Sequence, residues 1–161
     1  MSASIVSEKA LQISEYLNQH SDCLQTGQRK KFEIDGKLVL LDVYRLPLSL
    51  LRYSIKNGRF AAELKEREAQ LKRQLDPDDK RDAEELEKLL LKDLNMKEFL
   101  KDDLQRLGQM NPGVITFDGS IIDGNRRAAV LRSLYNETSE EKYSFFECVI
   151  LPPTISDPDL W

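Results

Sequence analysis

The chain has 161 residues, 40% of them hydrophobic, enough for one core and about one domain. Its 28 Asp and Glu outnumber 24 Lys and Arg, and the formal charge of −4 excludes a generally basic, nucleic-acid-coating surface while leaving room for a local basic pocket. No apolar run reaches the roughly eighteen residues of a membrane span, and no signal peptide opens the chain; Cys23 and Cys148 form no CxxC or Cys/His cluster, which excludes a disulfide framework or zinc site and suits a cytoplasmic location.

The first predicted element is a helix with Ser7 as N-cap. Val6 and Leu11 are spaced as a hydrophobic staple, Leu11, Ser14 and Leu17 share one face with Ala10 and Ile13 flanking, and the helix ends near His20. Asp35-Gly36, a strong hairpin signal, separates Lys30 to Ile34 from Lys37 to Tyr44, where Val39, Leu41 and Val43 alternate with Leu40, Asp42 and Tyr44. The segment from Leu46 to Leu51 turns into a short helix, and Lys56-Asn57-Gly58-Arg59 reads as a loop.

From Phe60 to Leu107 charged residues dominate, Gly is absent between Arg59 and Gly108, and apolar residues return at helical spacing, which predicts several helices. Asp76-Pro77 offers an N-cap with Pro at the first helical position, while Asp82 with Glu85, and Asn95 with Glu98, form box-like starts. The last of these helices is expected from about Met96 to Leu107, with Phe99, Leu100, Leu104 and Leu107 inward and Gly108 as C-cap. The stretch reads as a solvated helical face, or as an interaction surface in which Leu71, Leu75, Leu86, Leu90 and Leu94 pair with another copy of the chain.

Gly113 to Phe117 and Ser120 to Ile122 flank Asp118-Gly119 and predict a second hairpin. A helix of about Arg126 to Tyr135 follows, and Phe145 to Leu151 forms a last strand ended by Pro152-Pro153. Cys148 reads as a small core residue, Cys23 as a loop residue and His20 as the end of a surface helix; no Ser/His/Asp or Cys/His constellation is readable.

The chemistry concentrates at Asp123-Gly124-Asn125-Arg126-Arg127. An apolar strand enters a Gly turn and an Ala/Leu-rich helix starts at once, so Arg126 and Arg127 stand at the positive end of the helix macrodipole, where cations are least favoured. Unpaired first-turn N–H groups together with two guanidinium forks make a phosphate site of Gly124, Asn125, Arg126 and Arg127. Adjacent helical side chains diverge by about 100°. One guanidinium can therefore face the phosphate while the other braces the turn by pairing with a carboxylate. Two roles are open for the nearby acids: Asp118 and Asp123 are Mg²⁺ ligands beside a triphosphate, or Asp118 builds the Asp-Gly turn and Asp123 caps the helix. Of the two, Asp123 is the better metal candidate.

The order of pieces then resembles the ParB/sulfiredoxin superfamily over roughly residues 43 to 152: Leu46-Pro47-Leu48 through Asn57-Gly58-Arg59, a helix ending in Gly108-Gln109-Met110-Asn111-Pro112, the strand Val114-Ile115-Thr116, and the Ile122-Asp123-Gly124-Asn125-Arg126-Arg127-Ala128-Ala129 turn. The resemblance implies an α+β domain, a small mixed sheet with packed helices, binding a nucleoside triphosphate with Mg²⁺, CTP as in ParB proteins or ATP as in sulfiredoxins. It places the phosphates at Gly124 to Arg127, puts Gly108, Gln109, Asn111 and Pro112 beside base or sugar, and matches Arg59 to the arginine of an early loop. Asn125 replaces the ParB Glu, which argues against efficient hydrolysis, and the turn lacks the Cys of sulfiredoxins, which excludes sulfinic-acid reduction. The charged helices at about 60–95 resemble an insertion.

The resulting expectation is an N-terminal helix and hairpin (1–42), a ParB/sulfiredoxin-like domain (43–152) and a tail (153–161), ending on Trp161, that leads into a missing C-terminal region. The domain would serve as a nucleotide-dependent switch in a DNA-associated protein, meeting DNA through that missing region. The alternatives are a nuclease or phosphotransferase with Asp123 or Glu98 as catalytic carboxylate, and an interaction module that has lost its nucleotide.

Overall fold

At the first predicted hairpin, Asp35 and Gly36 take φ values of 51° and 77°, the paired positive φ angles that a tight two-residue turn needs, and Gly supplies one without steric cost. The turn joins β1 (Leu24–Ile34) to β2 (Lys37–Pro47) in antiparallel register, with Phe32 opposite Val39 and Lys30 opposite Leu41. This computed structural model describes residues 2–54 and 61–153, without the side chains of residues 2–7 and 26. The Val6 staple, the loop at Lys56 to Arg59 and the tail with Trp161 lie outside that description.

The remaining strands are β3 (Arg52–Tyr53), β4 (Gly113–Ile115), β5 (Ser120–Asp123) and β6 (Phe145–Ile150). They complete a six-stranded sheet of order β1-β2-β6-β4-β5-β3. The sheet is mixed: β6 pairs antiparallel with β2 and parallel with β4, while β5 pairs antiparallel with β4 and parallel with β3. The expected boundary at residues 42 and 43 thus falls inside β2, and the hairpin is an integral part of the sheet.

Side chains alternate across a strand, and both faces of the central strands are buried. Leu46, Ile115, Ile121, Phe146 and Cys148 belong to the larger core, while Val43, Val114, Ile122 and Val149 belong to a smaller one against which Phe32, Ile34 and Leu41 of the hairpin pack. Burial on both faces explains the near-continuous apolar runs of β4, β5 and β6, whereas Leu38 and Leu40 in the outer part of β2 are exposed.

Five α-helices complete the described chain: α1 (Ser2–Gln19), α2 (Ala61–Leu71), α3 (Lys80–Leu90), α4 (Leu94–Leu107) and α5 (Asn125–Thr138). No helix among the described residues is long and apolar enough to cross a membrane. The expected several-helix reading of the charged stretch holds, but its details shift. Helix α1 begins five residues before Ser7, and its core face is Ile13 with Tyr16 and Leu17, leaving Leu11 exposed. An N-cap must keep non-helical backbone angles while its oxygen reaches the first turn. Asp79 and Asp93 meet that condition for α3 and α4, accepting from Arg81 and Asp82 N–H and from Met96 N–H respectively, so Asp76 and Asn95 are not the caps. On α4, Leu104 is buried and Leu100 packs on the core, but Phe99 and Leu107 point to solvent. Gly108 does end the helix, at φ 73°.

The leucine stripe of the charged stretch is used within the chain. Leu75, Leu86 and Leu90 are buried in the larger core and Leu71 packs against it, which leaves only Leu94 of that set exposed. Two bidentate ion pairs stiffen this region: Arg67 joins Glu85 across α2 and α3 at 3.0 and 3.2 Å, and Arg73 joins the buried Asp82 at 2.7 and 2.8 Å. Asp82 also accepts from Asp76 N–H at 2.8 Å, which fastens the connection between the helices to the first turn of α3.

The Arg73 hydrogen bonds, then that of Asp76 N–H, hold the Asp82 carboxyl at about 2, below its ordinary 3.8. A depressed folded-state pKa contributes stability that is complete above the unfolded value and is lost as pH falls through the folded one. Asp82→Asn should therefore lower the thermal midpoint at neutral pH, and the gap to wild type should shrink from about pH 4 down to about pH 2. Melting curves across that range test this, and a pH-independent gap would contradict it.

Candidate functional site

β5 ends at Asp123, and Gly124 turns the chain into α5 at φ 106°, a left-handed conformation that strains any side-chain-bearing residue. No side chain caps the helix, and its first turn contains no acidic residue. The first intrahelical bond runs from Ala128 N–H to Gly124 O at 2.9 Å, so the N–H groups of Asn125, Arg126 and Arg127 precede the helical ladder. The helix behind them is anchored in the core by Ala128, Ala129, Val130, Leu131 and Leu134, so the turn sits on a rigid element.

The turn is shaped from beneath by Phe146, which is fully buried. A Cβ placed on Gly124 would lie 2.8 Å from its ring, and one on Gly113 would lie 2.3 Å from the ring and 2.6 Å from Asp123 O. Bare backbone at both positions lets the start of β4 and the start of α5 approach each other. The Gly108 to Pro112 segment and the Gly124 turn, 12 or more residues apart in sequence, are thereby brought together.

Polar clamps hold that segment. Arg127 donates to Asn111 O at 3.1 Å, and Lys30 from β1 donates to Pro112 O at 2.6 Å while standing 3.7 Å from Asp123. Gln109 docks like an added strand residue: its amide accepts from Glu147 N–H and donates to Glu147 O, both at 2.7 Å, and it also reaches Asn111 O at 3.2 Å. The Gln109 side chain is thus committed to β6, whereas Asn111 is exposed and Pro112 is half-buried.

The residues of the turn divide their roles. Asn125 is buried, its Oδ1 accepting from Ser54 N–H and its Nδ2 donating to Ile121 O, each at 3.0 Å, so only its backbone N–H remains at the helix start. Arg127 is the bracing guanidinium, and it braces a carbonyl rather than the expected carboxylate. Arg126 is half-buried, and no hydrogen bond or ion pair joins it to another described residue. Lys30, Arg126 and Arg127 against Asp123 leave this corner positive despite the acidic whole.

Asp123 does not cap α5: it is the last strand residue, 67% exposed in its side chain, and Gly124 occupies the cap position. Asp118 is buried within its turn, where it accepts from Thr116 Oγ1 and from Arg52 at 2.7 Å, while its carbonyl takes a second Arg52 bond at 2.8 Å; it is a structural anchor. Glu98 is exposed on α4, ten residues before Gly108 and so about 15 Å away along the helix axis. Lys101, three residues after Glu98, pairs at 2.7 Å with Glu137 in the last turn of α5, so Glu98 lies toward the end of that helix opposite Asp123. Among the described residues no three His, Cys, Asp or Glu side chains gather as a metal site. Arg59 lies outside the described residues.

Sequence reasoning missed Lys30, Ser54, Gly113 and Phe146. A Gly directly after Pro112 was a signal for close backbone approach, but nothing local to Lys30 foretells a contact with Pro112 at 82 residues' separation. Gly124→Ala should destabilise the fold by about 1–3 kcal/mol through positive φ and ring overlap. Combining it with Phe146→Leu should cost less than the sum of the two, because the leucine removes the overlap. Urea unfolding of the set measures this, and strict additivity would show that the ring does not press on the turn.

Compared with known proteins, the chain matches no family model, no curated protein and no solved structure.

Proposed function

We propose that this is a ParB-like nucleoside-triphosphate-binding domain, of ParB/sulfiredoxin-like fold, that acts as a nucleotide-dependent switch in a DNA-associated protein. The observation that carries the proposal is the uncapped start of α5 with Arg126 beside it, free of partners among the described residues. The N–H groups of Asn125, Arg126 and Arg127 would point at the phosphates, and the dipole of a 14-residue helix favours negative charge there. Arg126 would supply the direct charge-assisted contact. Arg127 would hold the Asn111-Pro112 segment against the turn, where it would border base or sugar.

The position of Asn125 separates holding a nucleotide from breaking one. Its side chain is turned into the core and tied at both ends, so it would supply neither a carboxylate for a metal nor a base for water. Asp123 is the carboxylate at the turn that would meet Mg²⁺ bound to the phosphates, a cation that commonly takes one or two carboxylates and keeps several waters. Of the two carboxylates that the nuclease alternative offers, Asp123 is the one beside the turn. A specific observation favours the interaction-module alternative: Leu94, Phe99, Leu107 and Met110 are large apolar residues exposed on α4 and just beyond it.

Calorimetric titration with CTP, ATP and GTP, each with Mg²⁺, tests the reading. Wild type should give saturable heat with at least one nucleotide, and Arg126→Ala should weaken it by about tenfold or more, the worth of a charge-assisted hydrogen bond. The variant should melt like wild type, because Arg126 ties down nothing in the fold. No heat from wild type with any nucleotide overturns the proposal, and a mass that rises with concentration would then favour the interaction module.

A further inference from the structure

We propose that a second small-molecule site lies away from the Gly124 turn, in the cavity between the α1, α3 and α5 helices and the Pro47–Arg52 segment, and that it takes a monoanionic organic carboxylate with an apolar body. This inference does not depend on the nucleotide reading. The cavity has a volume of about 680 Å³, within the usual range for small-ligand sites. Part of its wall is apolar, from Leu48, Leu51, Ala83 and Tyr135, which suits a hydrocarbon body rather than a fully polar ligand.

The charges on the wall set the sign and size of the ligand's charge. Lys9 and Arg52 are already answered: Lys9 lies 3.6 Å from Asp78, and Arg52 lies 3.8 Å from Asp78 and 2.7 Å from Asp118. Lys80 and Arg132 are not, since neither is joined to a carboxylate by an ion pair among the described residues. Against them stands Glu87, which lines the same wall between Tyr53 and Arg132 and makes no ion pair within 4.0 Å among the described residues. Burial pushes its carboxyl up toward the neutral form, with the Arg132 charge opposing. At most one of the two cations is balanced, and the wall retains a positive charge. A monoanion completes it.

Arg132 is built to hold that group. Its Nη2 donates to Leu48 O at 2.7 Å and Leu51 O at 3.2 Å, and its guanidinium lies over the Tyr53 ring, 4.8 Å from the centroid. The plane is thereby fixed, and because Nη2 is spent on the two carbonyls, Nε and Nη1 are left to give single charge-assisted hydrogen bonds to a carboxylate oxygen. Arg132 lies on α5 and Arg52 on β3, whose next residue, Ser54, is bonded to Asn125, so cavity and turn share the same rigid elements.

The test uses 2-naphthoate and its neutral isostere 2-naphthamide, followed by amide chemical shifts in two-dimensional NMR of the whole chain. Naphthoate should produce saturable shifts at Ser49, Ala83 and Asn136, and naphthamide should bind about tenfold more weakly or worse. Because Arg132 also ties two backbone carbonyls, Arg132→Gln risks the fold; Lys80→Glu, at an exposed position, is the decisive variant and should weaken naphthoate by about tenfold while leaving the melting temperature near wild type. Binding retained in Arg126→Ala supports a site separate from the turn. Absence of saturable shifts, equal binding of the amide, indifference to Lys80→Glu, or shifts confined to residues 108–127 would each overturn the proposal.

Discussion

The ring of Phe146 fills the space in which side chains at positions 113 and 124 would begin, and the geometry of the candidate site follows from that contact. A buried Phe contributes on the order of 1.5–3 kcal/mol of transfer free energy, so the chain gains by accepting two bare backbone positions around it. Those positions let the segment before β4 lie against the first turn of α5. Only then can Arg127 reach Asn111 O and Lys30 reach Pro112 O. A packing contact in the core thus decides where surface donors converge.

The two adjacent arginines illustrate how a helix start distributes work. Their side chains leave the helix about 100° apart, and the neighbouring segment lies on the side that Arg127 faces. Arg127 becomes a brace, and Arg126 keeps its donors. Asn125, the third member of the turn, is drawn inward because Ser54 N–H and Ile121 O would otherwise lack its amide as partner in a buried setting, where an unmade hydrogen bond is costly. The same inward turn ties the end of β3 to the start of α5, so the strand and the candidate phosphate turn move as one body.

The charged helices proved to be structural in large part. Leu75, Leu86 and Leu90 are buried with the central core, and Arg67, Arg73, Glu85 and Asp82 cross-link the helices around them. Helical spacing made the existence of these helices legible, as it did the C-cap at Gly108, because both depend on residues within a turn or two of each other. Their caps were misread by two or three residues: Asp and Asn recur throughout the stretch, and backbone angles at the helix start choose among them. The inward faces of α1 and α4 were also misjudged, since Leu11, Phe99 and Leu107 are as apolar as their buried neighbours and only the position of the sheet decides which are covered.

Local chemistry in the chain determined the hairpin at Asp35-Gly36, the alternation of strand and helix, the burial of Cys148 and the strand-Gly-helix turn with its two arginines. Each of these rests on near neighbours, through φ preferences, period and capping. The tertiary structure alone decided which arginine stays free, that Asn125 and Gln109 are spent on backbone partners, that Asp118 anchors Arg52, and that Lys30 joins the Pro112 segment. These outcomes depend on strand order, which places β6 between β2 and β4. Pairing of strands distant in sequence is set by the summed burial of two cores, and no short motif records it.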